Sequence, residues 1–219
     1  MANNQLVFSL RHPFTCSVVG PTFSGKTNLV LELIERRAEI ISHPLDRIIY
    51  IYTEDQEIFH EFQQKHPIVS FTKDMEVLKD ITYTNNKRTL IVFDDKLLDF
   101  CGKENEDIIY WFTMGAHHRN CSIILLLQTA FAKSLRTVAI NSMYLLLLNN
   151  SRDKSTISSL GKQTFPHKPK FLPEAFERAV SKPFGYLFFV FHVLDNNLYR
   201  VRSSIYPSPD CEIYVPRSE

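Results

Sequence analysis

At 219 residues the chain has room for one α/β domain, or for one domain with a small appendage. Hydrophobic residues make up 44% of it and charged residues 22%, which supplies a buried core and excludes a disordered chain. The formal net charge of +1 excludes a strongly basic protein that coats nucleic acid, while leaving room for a local basic surface.

Short apolar runs alternate with helical patterns along the chain. FTCSVV (14–19) reads as a strand and KTNLVLELIERRAEI (26–40) as an amphipathic helix. RIIYIYT (47–53) is a second strand, then come a polar helical stretch, EDQEIFHEFQQK (54–65), and a short strand, IVSFT (68–72). RTLIVFDD (88–95) is strand-like again, and EDIIYWFTMGA (106–116) is helical. SIILLLQ (122–128) and MYLLLL (143–148) are nearly continuous apolar runs, the pattern of strands buried on both faces of a parallel sheet. From 152 to 182 the chain reads as polar helix, interrupted by a loop at FPHKPKFLP (165–173) with its three prolines. At 185–206 two β-rich runs flank Asp195-Asn196-Asn197, which predicts an antiparallel hairpin. The sum is repeated βα units and a terminal hairpin: a three-layer, mostly parallel α/β fold, with residues 1–219 as a single domain.

No apolar run is long enough to span a bilayer, and the N-terminal MANNQLVFSLRHPF lacks the order of a signal peptide. The cysteines (Cys16, Cys101, Cys121, Cys211) are scattered without a CxxC pair, so reduced thiols in a soluble intracellular protein are expected.

Only six glycines occur in the chain, yet two of them, Gly20 and Gly25, fall in GPTFSGKT (20–27). This is the P-loop pattern, and it stands in the required context, after an apolar strand and before an amphipathic helix. Glycines let the backbone of Gly20, Pro21, Thr22, Phe23, Ser24 and Gly25 curl so that N–H groups face phosphate oxygens at the positive end of the helix. Lys26 then reaches the β- and γ-phosphates of ATP, and the Thr27 hydroxyl ligates Mg²⁺. A P-loop also needs a metal-holding acid, and Asp94 and Asp95 close the buried run RTLIVFDD. Asp94 is assigned to Mg²⁺ and Asp95 to orienting the attacking water, although an aspartate reaches less far than a glutamate.

Gln128 ends SIILLLQ, the position of a polar γ-phosphate sensor in ATPases with a strand inserted between the P-loop and acid-bearing strands; an ordinary loop-starting glutamine is the alternative. Arg119 is the first candidate for an arginine delivered to a neighbouring subunit, with Arg152 and Arg136 behind it, and each also fits a surface ion pair. His117, His118 and Cys121 do not make a metal site, because adjacent histidines rarely share one ion. Asp99 with Gly102, and Asn150 with Asp153, imitate GTPase motifs. The second lacks its lysine and the first falls past the strand end. The loop GPTFSGKT also looks like that of thymidine kinases, but their paired CxxC zinc motifs are missing.

RHPFTCSVVGPTFSGKT, DRIIYIYTEDQ, RTLIVFDD, FTMGAHHRNCSIILLLQTAF, NSMYLLLLNNSRDKSTISSL and SKPFGYLFFVF with YRVRSSIYP are spread in order along nearly the whole chain, from residue 11 to 207. In this order they resemble the viral genome-packaging ATPases of the FtsK/HerA superfamily, above all the poxvirus-type packaging ATPases of large DNA viruses and Polinton or adintovirus-like elements. The resemblance implies an additional-strand, RecA-like P-loop NTPase that uses ATP and Mg²⁺ to thread double-stranded DNA into a preformed capsid. It implies a homo-oligomeric ring, capsid or portal partners, no membrane, and a place at the virion assembly site of the host cell. Residues 20–27 match its P-loop, Asp94 and Asp95 its Walker B acids, Gln128 its sensor and Arg119 its trans-acting arginine. Phe23, where the loop often has glycine, and Asp95, where many relatives have glutamate, depart from the pattern. Lys133 and Arg136, or Lys168 and Lys170, are the candidates for DNA contact, against an alternative as solvated surface charges. The rival class is a P-loop module that binds nucleotide as an assembly factor without motor activity.

Overall fold

The computed structural model describes residues 9–82, 87–95, 103–129, 136–150, 152–195 and 197–217. The apolar runs form the strands β1 (Thr15–Val19), β2 (Arg47–Tyr52), β3 (Val69–Thr72), β4 (Thr89–Asp94), β5 (Cys121–Leu127) and β6 (Tyr144–Leu148). After them come β7 (Tyr186–Val190), β8 (Val201–Arg202) and β9 (Ile213–Tyr214). Among the described residues these strands make one sheet in the order β3-β2-β4-β5-β1-β6-β7-β8-β9. The strands from β3 to β6 run parallel. From β6 onward the pairing turns antiparallel, giving the mixed C-terminal edge.

Strand β5 lies between β1 and β4, pairing Val19 with Leu127 and Asp94 with Leu126. This register brings the ends of three strands to one edge of the sheet: the entry to the P-loop, the acid pair and Gln128. In an open parallel sheet, ligands bind beyond such carboxyl ends.

The period-two alternation of buried strands divides the core into two layers. Val19, Ile51, Phe93, Leu125, Leu147 and Phe189 face one side, with Trp111, Leu160 and Phe176. Val18, Tyr50, Val92, Leu126, Leu146 and Phe188 face the other, with Val30, Ile34 and Phe59. The first layer is covered by helices α3 (Lys103–Tyr110), α5 (Lys154–Thr164) and α6 (Phe171–Ala179), and α4 (Arg136–Asn141) places Val138 in it. The second is covered by α1 (Lys26–Glu35) and α2 (Glu57–Lys65).

Four local features differ from the sequence expectation. The helix predicted over 26–40 breaks at Arg36, and a short turn, Arg37–Ile40, continues it. The helix expected over 106–116 starts earlier, at Lys103, and widens into a π-turn at Trp111–Gly115 that buries Trp111 and Phe112. The proline-marked loop ends sooner, because Phe171 opens α6 and Pro173 sits in its first turn, where no intrahelical N–H is needed. The terminal antiparallel pair exists, Phe188 opposite Arg202 and Phe189 opposite Val201. Its strands are joined through a helical turn at Asn197–Tyr199 rather than a tight turn, and β9 adds a third partner.

Cys16 and Cys121 are buried and Cys211 is half-buried, all as free thiols. Cys101, Asp99, Gly102 and Lys133 lie outside the described residues. No helix among the described residues is long and apolar enough to cross a membrane.

Candidate functional site

The loop between β1 and α1 is built by its two glycines. Gly20 donates its N–H to the Leu127 carbonyl (3.0 Å), tying the loop to the inserted strand. A Cβ on Gly20 would lie 2.6 Å from Ser24 Oγ and 2.9 Å from Leu148 Cβ, so only glycine lets the loop pass this close to β6. Gly25 takes φ 92°, the left-handed turn that reverses the chain into α1. Phe23, at φ 65°, is 99% exposed on the loop's outer side.

No acidic side chain occupies the first turn of α1, so its positive end is free for an anion. Lys26 is buried and folds back, donating to the carbonyls of Gly20 (2.9 Å) and Pro21 (3.0 Å). Burial lowers its pKa, and the nearby Asp95 and Asp94 partly oppose that shift. Ser24 Oγ is buried without a hydrogen-bond partner among the described residues. The curled loop, the unpaired hydroxyl and the free helix end are the features a bound polyphosphate would satisfy.

At the end of β4, Asp94 is buried and accepts hydrogen bonds on one oxygen, Oδ2, from Tyr50 OH (2.6 Å) and Thr27 Oγ1 (3.1 Å). Burial raises its pKa most and Asp95 adds to the rise, while Tyr50, Thr27 and Lys26 pull it back. The Tyr50 phenol is pushed far up, first by burial and then by the Asp94 charge. Asp95 turns the chain at φ 50°, and Thr53 Oγ1 donates to its carbonyl (3.1 Å). Thr27 and Asp94 therefore present two hard oxygen ligands side by side, a donor set that fits Mg²⁺.

Gln128 is exposed just past β5 and lines a small cleft with Gly20, Leu148, Asn150 and Asp153. Asp153 is the N-cap of α5, accepting from Thr156 N (3.1 Å), so its likeness to a guanine-reading aspartate has a structural cause.

The arginines fall elsewhere. Arg119 precedes β5, at the opposite end of that strand from Gln128, and a seven-residue strand at about 3.3 Å per residue separates the two by roughly 20 Å. Its Nη2 donates to Tyr110 OH (2.9 Å), and its guanidinium carbon lies 4.8 Å from the Trp111 ring centroid. Arg152 is exposed on the P-loop side, just after β6. Arg136 opens α4, and its side chain lies outside the described residues, as does that of His117. Two residues at the site escaped the sequence reading: Tyr50, which looks like one more apolar strand residue in RIIYIYT, and Phe184, whose ring reaches Gly25 from the start of β7.

A P-loop entering α1, an acid-bearing β4 and an inserted β5 define the P-loop NTPase fold of the additional-strand kind. No protein-family model and no curated protein sequence matches the chain. Solved structures do. The genome packaging NTPase B204 from Sulfolobus turreted icosahedral virus 2 in complex with sulfate superposes with a TM-score of 0.58 at 13% identity, covering 96% of this chain and 100% of that one. The same NTPase in complex with ATP-gammaS gives 0.54 at 12% identity, covering 94% and 98%. The cytoplasmic domain of the Thermomonospora curvata Type VII secretion ATPase EccC gives 0.55 at 14% identity, covering 89% of this chain and 26% of that one. At such identities the likeness is one of fold.

Proposed function

We propose that this chain is an ATP-hydrolysing motor that moves double-stranded viral DNA into a preformed capsid, working as a ring of identical subunits at the virion assembly site of the host cell. The observation that carries the reading is the Thr27–Asp94 contact beside Lys26. It joins the P-loop to the acid strand across the inserted strand that bears Gln128. Added to this, nearly the whole chain follows the fold of a viral genome packaging NTPase over that protein's full length.

In this mechanism Lys26 leaves the carbonyls of Gly20 and Pro21 for the β- and γ-phosphates of ATP, and the N–H groups of residues 20–27 surround them. Thr27 and Asp94 would hold Mg²⁺, which neutralises phosphate charge when bound. Asp95 orients the attacking water and Gln128 senses the γ-phosphate. Arg119 is too far from its own P-loop to serve it, so it acts on a neighbour's site in a head-to-tail ring. Capsid or portal proteins would complete the machine. Lys168, Lys170 and Arg217 line a cleft of about 820 Å³ that also holds Glu174 and an Arg178 paired with Glu212 (2.8 Å), and the two lysines with Arg217 are the cations it offers to duplex phosphates.

The test is steady-state ATP turnover with and without long duplex DNA, beside Lys26→Ala. The motor reading expects severalfold stimulation by DNA and a loss of about a hundredfold or more in the variant. Intact nucleotide binding with turnover indifferent to DNA would favour the assembly factor instead. Phosphate transfer to a nucleoside would make it a kinase.

A further inference from the structure

Phe184 is a large aromatic residue that the fold holds in an unfavourable place. The residue is 75% exposed, and its backbone takes φ 57°, a conformation that is an outlier for a bulky side chain. The turn that holds it is fixed: Gly185 donates its N–H to the Lys182 carbonyl (3.0 Å), and a Cβ on Gly185 would lie 2.4 Å from the Ala179 carbonyl oxygen. Backbone strain of this kind persists where the surrounding structure imposes it, and it clusters at ligand clamps.

The position is specific. β6 runs parallel to β1, and β7 returns antiparallel with Tyr186 opposite Leu148, the last residue of β6. The start of β7 therefore stands at the same sheet edge as the P-loop. There the Phe184 ring touches the loop itself: a Cβ placed on Gly25 would be 3.0 Å from Phe184 Cδ1 and 3.5 Å from Cε1. One edge of the ring rests on the residue that opens α1, and most of the ring remains open to solvent.

We infer that Phe184 is the platform on which the base of the nucleotide stacks when its phosphates occupy the cradle of residues 20–27. This rests on the nucleotide-site reading above and adds to it the residue that takes the base. An aromatic face accepts any base, so the contact supplies affinity for nucleotides over bare polyphosphate without choosing adenine over guanine. Phe23 is the other exposed aromatic of the loop, but 99% of its surface is open and nothing among the described residues braces its ring. Phe184 lies in the turn that precedes β7 and rests against Gly25.

The experiment compares the binding of ATP and of inorganic tripolyphosphate by calorimetry. The proteins are wild type, Phe184→Ala, Phe184→Trp, Phe23→Ala and Lys26→Ala. The expected result is a Kd for ATP raised about tenfold in Phe184→Ala, with Phe184→Trp near wild type and tripolyphosphate binding within about twofold throughout the Phe184 series. Lys26→Ala should weaken both ligands. Equal weakening of ATP and tripolyphosphate by Phe184→Ala would overturn the inference, since the ring would then only prop Gly25. So would unchanged ATP binding, or a base-dependent loss in Phe23→Ala instead. Wild-type protein that binds neither ligand would overturn the nucleotide site itself, an outcome separate from failure of the stacking contact.

Discussion

The Tyr50 hydroxyl donates a 2.6 Å hydrogen bond to Oδ2 of Asp94, the same oxygen that accepts from Thr27. A buried carboxylate needs such donors to stay ionised, because burial alone favours its neutral form. Tyr50 thus acts on the candidate metal-holding acid from a neighbouring strand. Tyr50→Phe keeps the ring packed against Phe59 and Phe71 and removes only the donor. A hydrogen bond to a charged group contributes about 1.5–3 kcal/mol, so ATP turnover should fall by about tenfold or more. The Mg²⁺ needed for half-maximal rate should rise with it. A Mg²⁺ titration of the variant that overlays wild type would refute the role.

Gly20→Ala probes the loop's approach to β6. The added methyl would meet Leu148 Cβ at 2.9 Å, and that atom is fixed to the strand, whereas Ser24 Oγ at 2.6 Å can rotate away. Overpacking of this kind costs about 1–3 kcal/mol. Urea unfolding should show that loss, with weaker ATP binding as the loop shifts. A change below about 0.5 kcal/mol would mean the loop yields freely.

How much of this was legible in the sequence depended on whether a function is written in spacing or in tertiary contact. Residues 20–27 were readable because the positions of Gly20, Gly25 and Lys26 are themselves the loop's geometry. The parallel strands were readable because IILLL (123–127) and YLLLL (144–148) are nearly continuous apolar runs, as strands covered on both faces must be. The C-terminal edge was less so, since β8 and β9 are two residues each and leave no alternation to detect. Tyr50 was hidden because a buried tyrosine in an apolar strand reads as core until its hydroxyl is seen beside Asp94. Phe184 was hidden because neither its positive φ nor its contact with Gly25 follows from local sequence. Pro173 looked like loop because a proline list does not distinguish a break from a helix's first turn.

At the sheet's other end, His12 bridges Ser122 Oγ (Nδ1, 2.6 Å) and Asn120 Oδ1 (Nε2, 3.1 Å). Burial lowers its pKa below 6.5, the Asn120 contact opposes this, and His43 and Arg88 add to the lowering. A depressed imidazole pKa contributes stability that is fully present above the unfolded value and is lost as pH falls through the folded one. Stability should therefore decline from pH 6.5 downward. His12→Gln should be the less stable protein at pH 7.5, by about 1 kcal/mol for the lost contacts. The gap should narrow at pH 5, because only wild type must then bury a group that its unfolded chain protonates. Urea curves at the two pH values give the comparison, and a constant gap would refute the assignment.

Arg119 stands at the far end of β5 from Gln128, and its guanidinium is held by the Tyr110 hydroxyl and the Trp111 ring. An arginine in this place cannot reach its own P-loop without unfolding the strand. In the proposed head-to-tail ring it would meet the next subunit instead. Arg119→Ala should leave ATP binding within about threefold of wild type and lower turnover by about a thousandfold, the range for an arginine supplied in trans. Mixing supplies the decisive readout. Arg119→Ala subunits carry an intact P-loop and Lys26→Ala subunits an intact arginine, so a mixed ring pairs a working P-loop with a working arginine at some interfaces. ATP turnover of the mixture should exceed the sum of the two inactive proteins. A mixture no more active than its parts, with both variants still assembling, would assign Arg119 to the Tyr110–Trp111 surface alone.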